Sequence, residues 1–170
     1  KRQAVMGAIS GIFAATGQTC IAGSRLLVQR SIHDRFVERL IEVAKEAKIG
    51  DPMSTETHVG PVTTPPQYRK ILDYIEVARK EGAKCVLGGK PYAGDGVRSD
   101  RFVEPTIFTG VSNQMRIAQE EIFGPVLSVI PFEDEDEAIA IGNDIVFGLA
   151  AGVWTSDIGR ALRMSEKLKA

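Results

Sequence analysis

Two cysteines, two histidines and a single tryptophan occur in 170 residues, and each scarcity removes a class of protein. Cys20 and Cys85 cannot build a disulfide scaffold, so a reducing, cytoplasmic setting is expected rather than secretion. With only His33 and His58, and no paired-cysteine motif, a zinc site lacks ligands, and no metal is expected. An excess of one charge is missing too. The 21 basic and 22 acidic residues leave a net charge of −1, without the field that draws a protein to nucleic acid or anionic lipid. No apolar run approaches the roughly 20 residues that span a bilayer, so no membrane segment is expected. There is no internal repeat, low-complexity tract or linker. What is present is 44% hydrophobic and 25% charged residues, the balance of one globular domain with a sizeable core. The chain opens at Lys1-Arg2-Gln3 without a start Met and closes inside a helical pattern at Lys167-Leu168-Lys169-Ala170, which predicts a piece of a longer polypeptide.

Hydrophobic spacing predicts a helix over 4–15, with Val5, Ile9 and Ile12/Phe13 on one side and Gly17 as its stop. A short strand follows at 25–29. Ser31 with Asp34 resembles a capping box for a helix through 47 that buries Ile32, Phe36, Leu40 and Ala44/Ala47. Residues 48–63, with Gly50, Pro52, Gly60 and Pro61, read as a loop. Thr64-Pro65-Pro66-Gln67 opens a helix to 80 whose core face is Tyr68, Ile71, Leu72, Ile75 and Ala78. Brief strands are expected at 85–87 and 102–108, the latter at a sheet edge because of Pro105. The segment between them, with four glycines from Gly88 to Gly96, reads as a hairpin-like loop. Val126-Leu-Ser-Val-Ile130 reads as a strand buried on both faces, as in a parallel sheet. A helix over 133–141, a second buried strand at 149–154 and a last helix capped by Ser156 complete the pattern. Alternating strands and helices with crossover spacings predict an α/β layered domain.

The chemically informative stretch is Gly17-Gln18-Thr19-Cys20-Ile21-Ala22-Gly23-Ser24-Arg25, a cysteine in a glycine-flanked turn between helix and strand. Free N–H groups in such a turn stabilise a thiolate or an oxyanion. From the residues alone a lone cysteine reads first as a small buried hydrophobe, and no base lies near it in sequence.

That stretch resembles the active-site cysteine signature of the NAD(P)-dependent aldehyde dehydrogenases. Gln119-Glu120-Glu121-Ile122-Phe123-Gly124-Pro125-Val126 resembles a second hallmark of the family, about a hundred residues downstream. Glu104-Pro105-Thr106-Ile107 and Asn143 through Phe147-Gly148-Leu149-Ala150 match two further runs, in order, so the similarity covers the chain. The resemblance implies a three-layer α/β/α domain with a mostly parallel sheet, forming a single catalytic domain over 1–170. It implies that Cys20 attacks an aldehyde carbonyl, that the oxyanion is held by the Cys20 N–H and an Asn amide, that hydride passes to nicotinamide, and that a Glu-activated water releases the acid. Thr19 and Ile21 would shape the substrate pocket or simply pack the turn. Glu121 would accept hydrogen bonds from the nicotinamide ribose, Phe123 would pack on the cofactor, and Gln67 would touch the ribose or serve as a capping residue. NAD or NADP would be bound mainly by an N-terminal domain absent from this chain, together with the general-base Glu and the oxyanion Asn. The C-terminal tail that builds the family's homo-oligomers would also be absent. The chain alone is therefore expected to be inactive. Two other readings stand beside this one: a non-enzymatic structural or interaction module of the same fold, and a thiol hydrolase or acyl-transfer enzyme using Cys20. Cys85 reads as packing, and His33 and His58 as surface residues.

Overall fold

A computed structural model describes residues 2–94, 97 and 101–170. Lys1 and Gly96, at the predicted start of the chain and in the glycine-rich loop, lie outside the described residues. The elements run α1 (Arg2–Phe13), β1 (Arg25–Gln29), α2 (His33–Lys45), α3 (Pro65–Lys80), β2 (Lys84–Leu87), β3 (Thr106–Thr109), α4 (Arg116–Gln119), β4 (Val126–Phe132), α5 (Glu135–Asn143) and α6 (Ile158–Lys167), with 3-10 turns at Ala14–Gly17 and Arg30–Ile32.

The sheet order is β1-β4-β3-β2. β4 pairs in parallel with β1 and β3, and β2 joins β3 antiparallel. Side chains alternate along β4, and that alternation makes the layers. Val126 and Ile130 face a core with Ile71, Ile75 and Ala78 of α3, while Leu127 and Val129 face one with Val5, Ile12 and Phe13 of α1 and Leu40 of α2. Ser128, buried among them, donates its hydroxyl to the Ile117 carbonyl at 3.2 Å. The expected α/β/α sandwich with a mostly parallel sheet is therefore present.

Four local expectations change. Residues 149–154 form no strand and are exposed throughout. A buried strand needs ladder partners and covered faces, and this segment has neither here. β3 lies inside the sheet, not at its edge, because the ladder begins at Thr106, whose N–H donates to Pro125, so the N–H that Pro105 lacks is never needed. Ser31 does not cap α2; a 3-10 turn precedes that helix, and no side chain caps it. Asp157, not Ser156, caps α6 by accepting from the Arg160 N–H. Thr64 caps α3 as expected, with proline in the first turn.

Candidate active site

α1 ends in an abrupt left-handed passage. Ala15 (φ 49), Thr16 (φ 60) and Gly17 (φ 67) follow one another in a region that costs a β-branched residue most. Surrounding contacts hold it there. The Thr16 hydroxyl donates to the Gly60 carbonyl at 3.1 Å. Gly17 packs so closely on the Gly124 carbonyl that a side chain could not fit between them. Gln18 accepts from the Thr63 N–H at 2.9 Å and the Thr63 hydroxyl at 3.0 Å.

Beyond this anchor the chain makes one exposed turn. Ala22 N–H donates to the Thr19 carbonyl at 3.0 Å, which places Cys20 and Ile21 at its two central positions. Cys20 is exposed. Among the described residues the backbone N–H groups of Cys20 and Ile21 have no partner within the chain. Arg25 closes the segment, donating to Asn113 Oδ1 at 2.8 Å and to the carbonyls of Ile141 and Gly142 at 3.0 Å each. Burial lowers the pKa of this guanidinium from its ordinary value, with Asp144 acting in the opposite direction.

The run over 119–126 converges on the same place, because Gly124 is the neighbour of Gly17. Two adjacent glutamates are treated oppositely there. Glu120 is bound by Arg116 at 2.8 and 2.9 Å and by the Tyr74 hydroxyl. These hydrogen bonds, that of Arg116 foremost, hold its carboxyl down at about 2. Glu121 is exposed, and among the described residues its carboxylate has no partner. Phe123 is half-buried and sits at φ 58. Gln67 fixes that conformation: its Nε2 donates to the carbonyls of Ile122 at 2.8 Å and Phe123 at 3.0 Å. The side chain thus braces the loop over 121–123 and does not reach back to cap α3, although the Gln67 N–H does donate to Thr64 Oγ1 at 3.4 Å.

The remaining candidates fall away from Cys20. Cys85 is half-buried on β2, and its thiol donates to the Leu87 carbonyl at 3.3 Å. His33 is half-buried rather than a surface residue and pairs with Asp34, while His58 accepts the Lys48 N–H. No histidine therefore bonds Cys20. Among the described residues no cluster of His, Cys, Asp and Glu could hold a metal. A shallow cavity of about 450 Å³ lies between α3 and Arg116 but includes neither Cys20 nor Glu121. Gln18, Arg25 and Asn113 escaped the sequence reading. Arg25 closes the cysteine motif, and its position there was the available signal; the partner that makes it structural, Asn113, lies 88 residues away.

A surface thiol on a locked turn, beside an acid-bearing loop, defines a thiol-bearing α/β domain. The chain belongs to the aldehyde dehydrogenase family, whose model matches residues 1–170. Among its relatives, the betaine aldehyde dehydrogenase of Mesorhizobium japonicum is 50% identical over 98% of this chain. A crystal structure of the Staphylococcus aureus betaine aldehyde dehydrogenase in complex with NAD+ superposes with a TM-score of 0.97 at 45% identity, covering 99% of this chain and 33% of that one. An aldehyde dehydrogenase of Pseudomonas aeruginosa gives 0.93 at 49% identity, covering 98% of this chain and 33% of that one. The chain spans about a third of the length of these relatives; for the Mesorhizobium enzyme the share is 34%. No helix among the described residues is long and apolar enough to cross a membrane.

Proposed function

We propose that residues 1–170 are the thiol-bearing catalytic domain of an enzyme that oxidises a small-molecule aldehyde to the acid, with Cys20 as nucleophile. The observation that carries this reading is the exposed Cys20 turn with free N–H groups, set on strained backbone that Gly124, Gly60 and Thr63 hold in place. The Cys20 thiolate attacks the carbonyl carbon, and the π electrons of the carbonyl move to oxygen. The unpaired N–H of Cys20 is the donor this chain offers to that oxyanion. One solved relative carries a BME-modified cysteine, which supports a reactive thiol in such enzymes.

The Glu121 region suits a nicotinamide dinucleotide: a free carboxylate able to accept from two hydroxyls, beside a half-exposed aromatic ring on a braced loop. When bound, NAD(P)+ supplies the acceptor for the hydride that leaves the substrate carbon. Glu121 would hold the ribose hydroxyls, Phe123 would pack against the cofactor, and Gln67 would keep both in register. The NAD+ in solved relatives favours NAD+ over NADP+ here. Among the described residues no carboxylate or histidine bonds Cys20, and on this reading the base that activates water, and a second oxyanion donor, belong to polypeptide outside this third of the enzyme. The parent works as a homo-oligomer in the cytoplasm, where its thiol stays reduced.

An activated ester tests the nucleophile on this chain directly. Incubation with p-nitrophenyl acetate should place an acetyl group on Cys20, and Cys20→Ser should remove it. Acetylation at Cys85 alone, or none at all, would overturn the assignment.

A further inference from the structure

The Cys20 turn hangs between two fixed points. On its far side the Gly23 N–H donates to the Gly11 carbonyl at 2.9 Å, and the Ser24 carbonyl accepts from the Ser128 N–H at 2.9 Å. On its near side the fixed point is Gln18. Its Oε1 accepts from both the N–H and the hydroxyl of Thr63, at 2.9 and 3.0 Å, across 45 positions of sequence. Its Nε2 faces the carbonyls of Ala15 and Pro61 at 3.4 Å each. Between the two points Thr19, Cys20 and Ile21 are exposed. Thr63 is itself held. Its carbonyl accepts from the Arg101 guanidinium at 2.8 Å, and its fully buried neighbour Val62 donates its N–H to the Arg101 carbonyl at 2.8 Å. The next residue, Thr64, caps α3, whose Gln67 braces the loop of Glu121 and Phe123. One short segment, 60–67, thus carries both the near end of the thiol turn and the acid-bearing loop.

Both ends of the Gln18 amide are engaged within the chain, so this side chain is not offered to a substrate. What it fixes is the direction of the peptide groups that follow. The Cys20 N–H, two residues on, is the donor this chain offers to an oxyanion, and such a donor acts only when aimed at the place where charge develops. We propose that Gln18 is a positioning residue for the reaction at Cys20. Held by Thr63, it sets the pose of the Cys20 N–H, and so governs oxyanion stabilisation rather than the reactivity of the sulfur. This role rests on the reading of Cys20 as nucleophile.

Two reagents separate those effects on this chain. With p-nitrophenyl acetate the Cys20 thiolate forms a C–S bond to the acetyl carbon and the carbonyl pair moves to oxygen. Return of that pair expels p-nitrophenolate. With iodoacetamide the thiolate displaces iodide from a saturated carbon, and no oxyanion forms. Both reactions draw on the same thiolate, so the ratio of their rates at Cys20 reports the oxyanion donor. Gln18→Ala should lower the ratio of acetylation to alkylation about tenfold. Gln18→Glu, which keeps an oxygen for both Thr63 donors, should stay within about twofold of the wild type. Ile75→Val, which loosens the core under α3, should lower stability and leave the ratio unchanged. Thr63→Ala removes only the hydroxyl donor, should lower the ratio about two- to threefold, and is decisive if Gln18→Ala does not fold. An unchanged ratio in Gln18→Ala, or in Thr63→Ala where that variant decides, would overturn the role of Gln18 and leave Cys20 as nucleophile. So would an equal fall in Ile75→Val, or a Gln18→Glu ratio as low as that of Gln18→Ala. No acetylation of Cys20 in the wild-type chain would overturn both.

Discussion

Two stretches rich in small and apolar residues meet opposite fates. Residues 15–24 are held by partners from three distant parts of the chain: Gly60 to Thr63, the Gly124 loop and, through Arg25, the Asn113 region. Residues 146–162 contain at least as many large hydrophobes, yet Val146, Phe147, Leu149, Trp154, Ile158 and Leu162 are all exposed. The difference lies in what faces each stretch rather than in its own composition. The first is over-determined, so it tolerates left-handed Ala15 and Thr16 and presents Cys20 on a fixed turn. The second, among the described residues, touches α1 and α5 but is not buried by them.

Crowding the close approach of Gly17 to Gly124 should break this contrast most visibly. Gly17→Ala sets a side chain at φ 67 against the Gly124 carbonyl and should cost about 2–4 kcal/mol in urea denaturation. Gly11→Ala, facing open space on α1, should instead gain about 0.5–1 kcal/mol. A Gly17→Ala loss below that gain would show that the turn is not locked.

Gln67→Ala should come next. It strips two hydrogen bonds from the carbonyls of Ile122 and Phe123 and should cost about 1–2 kcal/mol. Exchange at 121–124 should quicken while 149–154 stays as fast as before. Equal stability of variant and wild type would remove the brace.

Smaller in effect is a pH dependence. Glu120 is lowered from 4.5 to about 2 by Arg116 and Tyr74. A depressed carboxyl contributes stability above the unfolded value, and that contribution fades as pH falls through about 2. Glu120→Gln should flatten the decline of the urea midpoint between these values. A Glu120→Gln profile identical to that of the wild type would contradict the hold of Arg116 and Tyr74 on this carboxylate. Smallest of all, Leu149→Ser and Leu162→Ser should shift the stability of the 170-residue chain by no more than about 0.5 kcal/mol.

Much of the frame was legible because periodicity records which face is buried. The apolar run from Val126 to Ile130 announced a strand covered on both sides, and Thr64-Pro65 announced the start of α3. The same logic failed at 149–154 because periodicity reports what a segment is suited to and not which neighbours it meets; there the segment is irregular and exposed. Pro105 misled for a related reason: a proline costs a ladder only if its N–H falls inside one. In the candidate site, the motifs marked Cys20, Glu121 and Phe123 as candidates. Their geometry was hidden because it depends on pairs far apart in sequence, such as Gly17 with Gly124 and Gln67 with Phe123. Nothing local separates Glu120 from Glu121. Only the positions of Arg116 and Tyr74 show which one is held and which is free.

The Cys20 turn as a nucleophile site and Cys85 as a packing residue are tested most directly by limited iodoacetamide labelling with peptide mapping. Cys20, exposed on its turn, should be alkylated at least about tenfold faster than Cys85, whose thiol is half-buried and donates to Leu87. Equal rates, or faster labelling of Cys85, would contradict a nucleophile built at Cys20.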